Sequence, residues 1–137
     1  MKKLLLILLC LPIIGFGQTK EVKVISNFDN GNIKKEEVYY DDALIEIKYY
    51  YENGNLKKSK PYNDGSRHGK YSMYYESGNL QYQGMLAKGQ PIGKHHMYFE
   101  TGEIKKLMYY SNDGSGRGEP ISAECYDKKR NLITCED

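Results

Sequence analysis

Carboxylates recur at one position of a repeated pattern, as Asp29, Glu52, Glu76 and Glu100, and paired carboxylates are what glycoside hydrolysis uses. If two strands separate successive members, the spacing is roughly 10 Å, wider than the ~5 to 5.5 Å of a retaining pair and just beyond the inverting range. Their identical place in every copy fits turn formation at a solvated edge. The histidines are the neutral metal ligands to consider. His95 and His96 are adjacent, so on one strand they face opposite ways, and His68 could approach His95 from the neighbouring repeat without a fixed carboxylate partner, which makes a poor zinc site. Gly114-Ser115-Gly116 lacks the nucleophile elbow and any following helix pattern. The Gly-x-Gly-x-Gly in the same loop is followed by Pro120 and Ile121-Ser122-Ala123, which suggest a strand where a phosphate cradle needs a helix N-terminus. No catalytic residue, metal or cofactor is expected, because active sites need a unique constellation and every conspicuous residue here recurs.

What recurs is an aromatic–acid–x–Gly–x–aliphatic hexad, at Phe28 to Ile33, Tyr51 to Leu56, Tyr75 to Leu80 and Phe99 to Ile104. Its glycines Gly31, Gly54, Gly78 and Gly102 are 23, 24 and 24 residues apart, a period at which each unit is one supersecondary element that buries its apolar face by stacking on its neighbours. Each hexad reads as a hairpin with Gly in the left-handed backbone conformation. The residue before Gly is Asn30, Asn53, Ser77 or Thr101, and Ser or Thr resists the positive φ of a type I′ turn, so a type I turn with a G1 bulge is expected. The two turns differ by one residue in register, which leaves open whether Tyr50 or Tyr51 faces Leu56. A second glycine pair punctuates each unit, as Gly65 and Gly69, Gly89 and Gly93, Gly114 and Gly118, and marks the return loops. The first unit has Asp42 and Glu46 near the equivalent positions.

Residues 1–17 are set apart. Lys2 and Lys3 precede a thirteen-residue apolar run from Leu4 to Phe16, with small Gly15 and Gly17 at its end, so a signal peptide cleaved before Gln18 and a periplasmic or secreted protein are expected. The run is well short of the roughly 20 residues of a spanning helix, and Leu9 before Cys10 does not suit lipid attachment. Removing Lys2 and Lys3 from 20 basic residues leaves 18 against 18 acidic ones, a balance that excludes a dedicated nucleic-acid binder. Residues 18–137 suit one domain, and fourteen tyrosines with no tryptophan favour strands. Cys125 and Cys135, symmetric about Arg130, are expected to form a disulfide in an oxidising compartment, facing each other if residues 129–131 form a hairpin tip.

The stretch Tyr82-x-Gly84-x-Leu86-x-x-Gly89-x-x-x-Gly93-Lys94, followed by Tyr98-Phe99-Glu100-Thr101-Gly102, resembles the MORN repeat, as does Tyr62-x-x-Gly65-x-x-His68-Gly69-Lys70. The resemblance covers about residues 27–118, with a decayed trailing copy in Tyr126-Asp127-Lys128 and Leu132, and is nearest the short bacterial MORN variant. Leu86 and Tyr62 stand where tryptophan is usual, and Gly84 alone keeps the first glycine. The resemblance implies an all-β fold: an elongated, single-layer antiparallel sheet in which each repeat adds one hairpin.

Alternation along such strands puts Ile47, Tyr49, Tyr51, Tyr71, Met73, Tyr75, His95, Met97 and Phe99 on one face and Tyr50, Tyr74 and Tyr98 on the other. A single layer cannot bury both faces, so Tyr50, Tyr74 and Tyr98, with Lys57 and Lys105 from the recurrent lysine column, are the candidate binding surface. The expected function is an exported, non-catalytic module that binds a protein or a cell-envelope polymer. Two alternatives stay open: an immunity-type inhibitor, since proteins resembling this variant are often labelled antitoxin components, and contact with an anionic membrane surface through the lysines.

Overall fold

The computed structural model describes residues 19–115 and 117–136. The expected leader, Cys10 and the cleavage point before Gln18 lie outside the described residues, as does Gly116 of the glycine-rich loop. Eleven strands form one open antiparallel sheet. They are β1 (Lys20–Asn27), β2 (Ile33–Tyr40), β3 (Ala43–Tyr50), β4 (Leu56–Asn63), β5 (Ser66–Arg67), β6 (Gly69–Tyr74), β7 (Leu80–Ala87), β8 (Gln90–Tyr98), β9 (Ile104–Tyr110), β10 (Ser122–Tyr126) and β11 (Leu132–Ile133). The chain runs as a meander in sequence order, with the short β5 pairing β4 beside the main path. Among the described residues no helix is long and apolar enough to cross a bilayer.

The hexad builds its hairpin as expected. The Gly54 N–H donates to the Tyr51 carbonyl (3.0 Å) while the Tyr51 N–H donates to the Asn55 carbonyl (2.8 Å), and Gly54 has φ +89° with Asn53 in ordinary backbone. This is a type I turn closed by a G1 bulge. The same pair of bonds recurs at Phe28, Tyr75 and Phe99. The open question of register resolves with Tyr50 opposite Leu56 and Tyr49 opposite Lys58, so that Lys57 is the extra residue of a second bulge, separate from the one at Gly54. The hexad glycines and the pairs Gly65 and Gly69, Gly89 and Gly93, and Gly114 and Gly118 all adopt positive φ.

The return connections after β2, β4 and β7 are tighter than loops. Asp64-Gly65 and Lys88-Gly89 each join strands through two residues of positive φ, with Asn63 opposite Ser66 and Ala87 opposite Gln90, which is type I′ geometry. The glycine-less first unit makes the same turn with Asp41 (φ 47°) and Asp42 (φ 64°), residues whose short polar side chains tolerate the left-handed region.

Repeats are stitched through their turns. Asn30 and Asn32 side-chain amides donate to the Glu52 carbonyl, Asn53 and Asn55 to that of Glu76, and Asn79 to that of Glu100, at 2.8 to 3.0 Å. The Tyr51 hydroxyl reaches the Tyr74 carbonyl (2.8 Å) and the Tyr75 hydroxyl the Tyr98 carbonyl (2.7 Å). The acidic column therefore serves the fold through its backbone oxygens. Buried side chains are divided between the two sides of the layer, with Ile47, His95 and Met108 on one and Val38, Ser72 and Leu107 on the other.

The chain ends in a half-sized copy of the same hairpin. Arg130 (φ 68°) takes the seat of the hexad glycine, and Asp127 makes the two backbone bonds with Arg130 and Asn131. Cys125 and Cys135 are joined, with their Cα atoms 5.2 Å apart. They do not face each other as a tip at 129–131 requires: the turn begins at Asp127, so Cys125 opposes Ile133 and Cys135 reaches across after β11 ends.

Candidate binding surface

Continuous pairing aligns residues into rows across the sheet. One row runs Lys35, Tyr49, Lys58, Met73, Tyr82, Met97, Lys106 and Cys125, each directly opposite the next. Directly opposed residues share a face, so this row defines the front. The adjacent row runs Glu36, Lys48, Ser59, Ser72, Gln83, His96, Leu107 and Glu124, and alternation places it on the back.

The N-terminal half of the front is basic. Lys58 and Lys60 hold their ammonium groups 4.6 and 5.1 Å from the centroid of Tyr49, within cation–π range. Lys35, on the other side of Tyr49, is paired with Glu37 (2.8 Å), which also accepts the Tyr39 hydroxyl. Burial, then the positive charges of Lys58, Arg67 and Lys35, hold the Lys60 ammonium below the usual lysine range. Cations that crowd one another in this way create a site where an anion is stabilising.

The other half of the front is aromatic and apolar. Tyr71, Met73, Tyr82, Leu86, Met97 and Tyr110 line an open trough of about 450 Å³, with Arg67 at its rim. Tyr71 meets Tyr82 edge-on at 5.9 Å, Tyr82 meets His95 at 5.6 Å, and His95 lies under Tyr110 at 4.6 Å. His95 is wholly buried. Its Nε2 faces the carbonyls of Met85 (2.9 Å) and Ile92 (3.1 Å) and its Nδ1 contacts the Tyr82 hydroxyl, so both ring nitrogens are engaged. His68 is exposed on its loop, and no metal-ligating cluster of three or more such side chains occurs among the described residues. His96 is on the back, stacked on Tyr98, with burial and Lys94 holding its imidazole below the usual range.

The residues singled out from the sequence fall into different settings. Tyr50 donates to the buried Glu36 carboxylate (2.6 Å), and burial with that carboxylate pushes its phenol well above the usual range. Lys48 reaches Glu36 and Glu46, and Ser59 bonds Glu46, so the back of β2 to β4 is a self-satisfied polar network. Tyr74 and Tyr98 are half-buried on the same side and lend their carbonyls to the repeat stitching. Lys57 and Lys105 lie over Tyr51 (5.1 Å) and Phe99 (5.8 Å) of their own hexads, as Lys34 does over Phe28 (5.5 Å). Lys58, Lys60, Arg67 and Met73 were not singled out as a site. Counting Lys57 as the bulge residue would have placed Lys58 opposite Tyr49.

The MORN repeat variant matches residues 45–64 and 67–86. These two segments are MORN repeats, of a kind that generally serves as a binding module. The two matched segments carry Tyr49, Lys58, Lys60, Arg67, Tyr71 and Met73, and so coincide with the basic end and the start of the trough. No curated protein matches the chain.

Proposed function

We propose that this protein is an exported, non-catalytic adaptor that holds a protein or cell-envelope polymer against the front of its sheet. The observation that carries the reading is the juxtaposition of a basic cluster around Tyr49 with the Tyr71–Met73–Tyr82–Met97 trough, linked by Lys58 opposite Met73. A flexible thioether surface with aromatic walls accepts apolar groups of varied shape, and the lysines beside it select for negative charge. The back offers less, since its carboxylates are already paired with Lys48, Tyr50 and Ser59. Export rests on the basic and apolar character of residues 1–17.

The test is a crosslinking pull-down from the native cell envelope with the wild-type chain and with Lys58→Glu combined with Lys60→Glu. Loss of the captured partners from the folded double variant is the expected result. Capture unchanged by reversing both charges would remove this surface from consideration.

A further inference from the structure

Among the described residues β1 has a neighbour on one side only, and its Val22, Val24 and Ile25 are about half exposed (49%, 50% and 47%). The opposite end of the sheet is closed differently, by a two-residue strand tied down with a disulfide. An eight-residue free edge is a template for strand addition. We propose that β1 is a self-pairing edge: two copies of this chain join antiparallel about a twofold axis through Val22, making one continuous sheet.

Backbone phase limits how this can happen. The Asp41 N–H donates to the Thr19 carbonyl (3.1 Å), and Lys20 stands opposite Tyr40. Lys20 and Tyr40 are therefore a non-hydrogen-bonded pair, so Thr19, Glu21 and Lys23 turn their backbone groups to β2 while Lys20, Val22 and Val24 present theirs outward. A twofold axis at Glu21, Val22 or Lys23 matches outward donors to outward acceptors.

Side chains choose among the three. With the axis at Val22, Glu21 of each copy lies opposite Lys23 of the other, Lys20 lies opposite Val24, and Val22 meets its own copy. Moving the axis to Glu21 sets glutamate against glutamate, and moving it to Lys23 sets lysine against lysine. These charges occupy non-hydrogen-bonded positions, where opposed side chains are closest and like charges destabilise. Within one chain Lys23 Nζ already lies 3.3 Å from Glu21 Oε2, so pairing joins two such ion pairs into an alternating square. A closed, isologous contact of this kind stops at two copies.

The experiment is sedimentation equilibrium on the full chain, expressed with its N-terminal segment and purified in the form the cell leaves. A concentration-dependent dimer is expected. Glu21→Lys and Lys23→Glu should each weaken it about tenfold or more at low salt, and mixing the two variants should restore a heterodimer, because each then meets its complement. Val22→Pro, which removes an outward donor without touching the β1–β2 ladder, should abolish association while leaving the circular dichroism spectrum unchanged. A wild-type chain that stays monomeric, because its own N-terminal segment or nothing covers the edge, would overturn the proposal. So would a dimer indifferent to both reversals, or variants that fail to recover on mixing.

Discussion

His95 lies against Gly84 so closely that a Cβ on the glycine would come within 2.1 Å of the imidazole Nδ1. Gly84 has no positive φ, so what it supplies is space: a bare patch of backbone on which the ring rests beneath Tyr82 and Tyr110. With Nε2 facing two carbonyls, that nitrogen carries a proton and Nδ1 accepts from the Tyr82 hydroxyl.

Gly84→Ala should therefore act as overpacking and cost about 1 to 3 kcal/mol, read by urea denaturation. Adding His95→Ala should recover part of that loss, since the clash requires both groups. Additive costs in the double variant would contradict the contact.

Asn55→Ala removes the amide that links one repeat to the Glu76 carbonyl and should cost about 0.5 to 1.5 kcal/mol. Glu76→Gln keeps that carbonyl and should shift the thermal midpoint little. A larger effect from Glu76→Gln than from Asn55→Ala would mean that the acidic column acts through its side chains.

Lys60 links stability to binding in opposite directions. Its folded-state ammonium titrates below the unfolded value, so the unfolded chain binds more protons in that alkaline window and stability rises as pH climbs through it. Lys60→Met should raise the thermal midpoint at neutral pH, flatten that alkaline rise and weaken capture of an anionic partner. Stability that falls on substitution would show that Lys60 is held by partners within the fold.

Reducing Cys125–Cys135 releases a loop with a sequence separation of 10, for which chain entropy gives on the order of 3 kcal/mol. Because among the described residues β11 pairs only with β10, the effect should be local. Hydrogen exchange should show lost protection at Leu132 and Ile133 and little change at Leu107. Uniform loss of protection would make the disulfide a global clamp.

The fold was legible because each level of the pattern pointed the same way. Gly54 and its copies mark the turns, Ser77 and Thr101 exclude type I′ geometry there, and the period demands stacking. The return turns were less legible, because Asp41-Asp42 and Lys88-Gly89 adopt left-handed pairs that depend on the twist of the flanking strands. The binding surface was the hardest to read. Tyr50 looks like one member of a repeating column, yet Glu36 on a neighbouring strand takes up its hydroxyl. Lys57 and Lys58 are adjacent in sequence, and only the bulge decides which of them stands in the row with Tyr49 and Met73.

Met73 and Tyr74 are consecutive residues in β6 and point to opposite faces, so a photoreactive side chain placed at one or the other asks which face is used. With the probe at Met73, irradiation of intact cells should yield crosslinks to a partner, and with the probe at Tyr74 it should not. Crosslinks from Tyr74 with none from Met73 would contradict the assignment of the front as the binding surface.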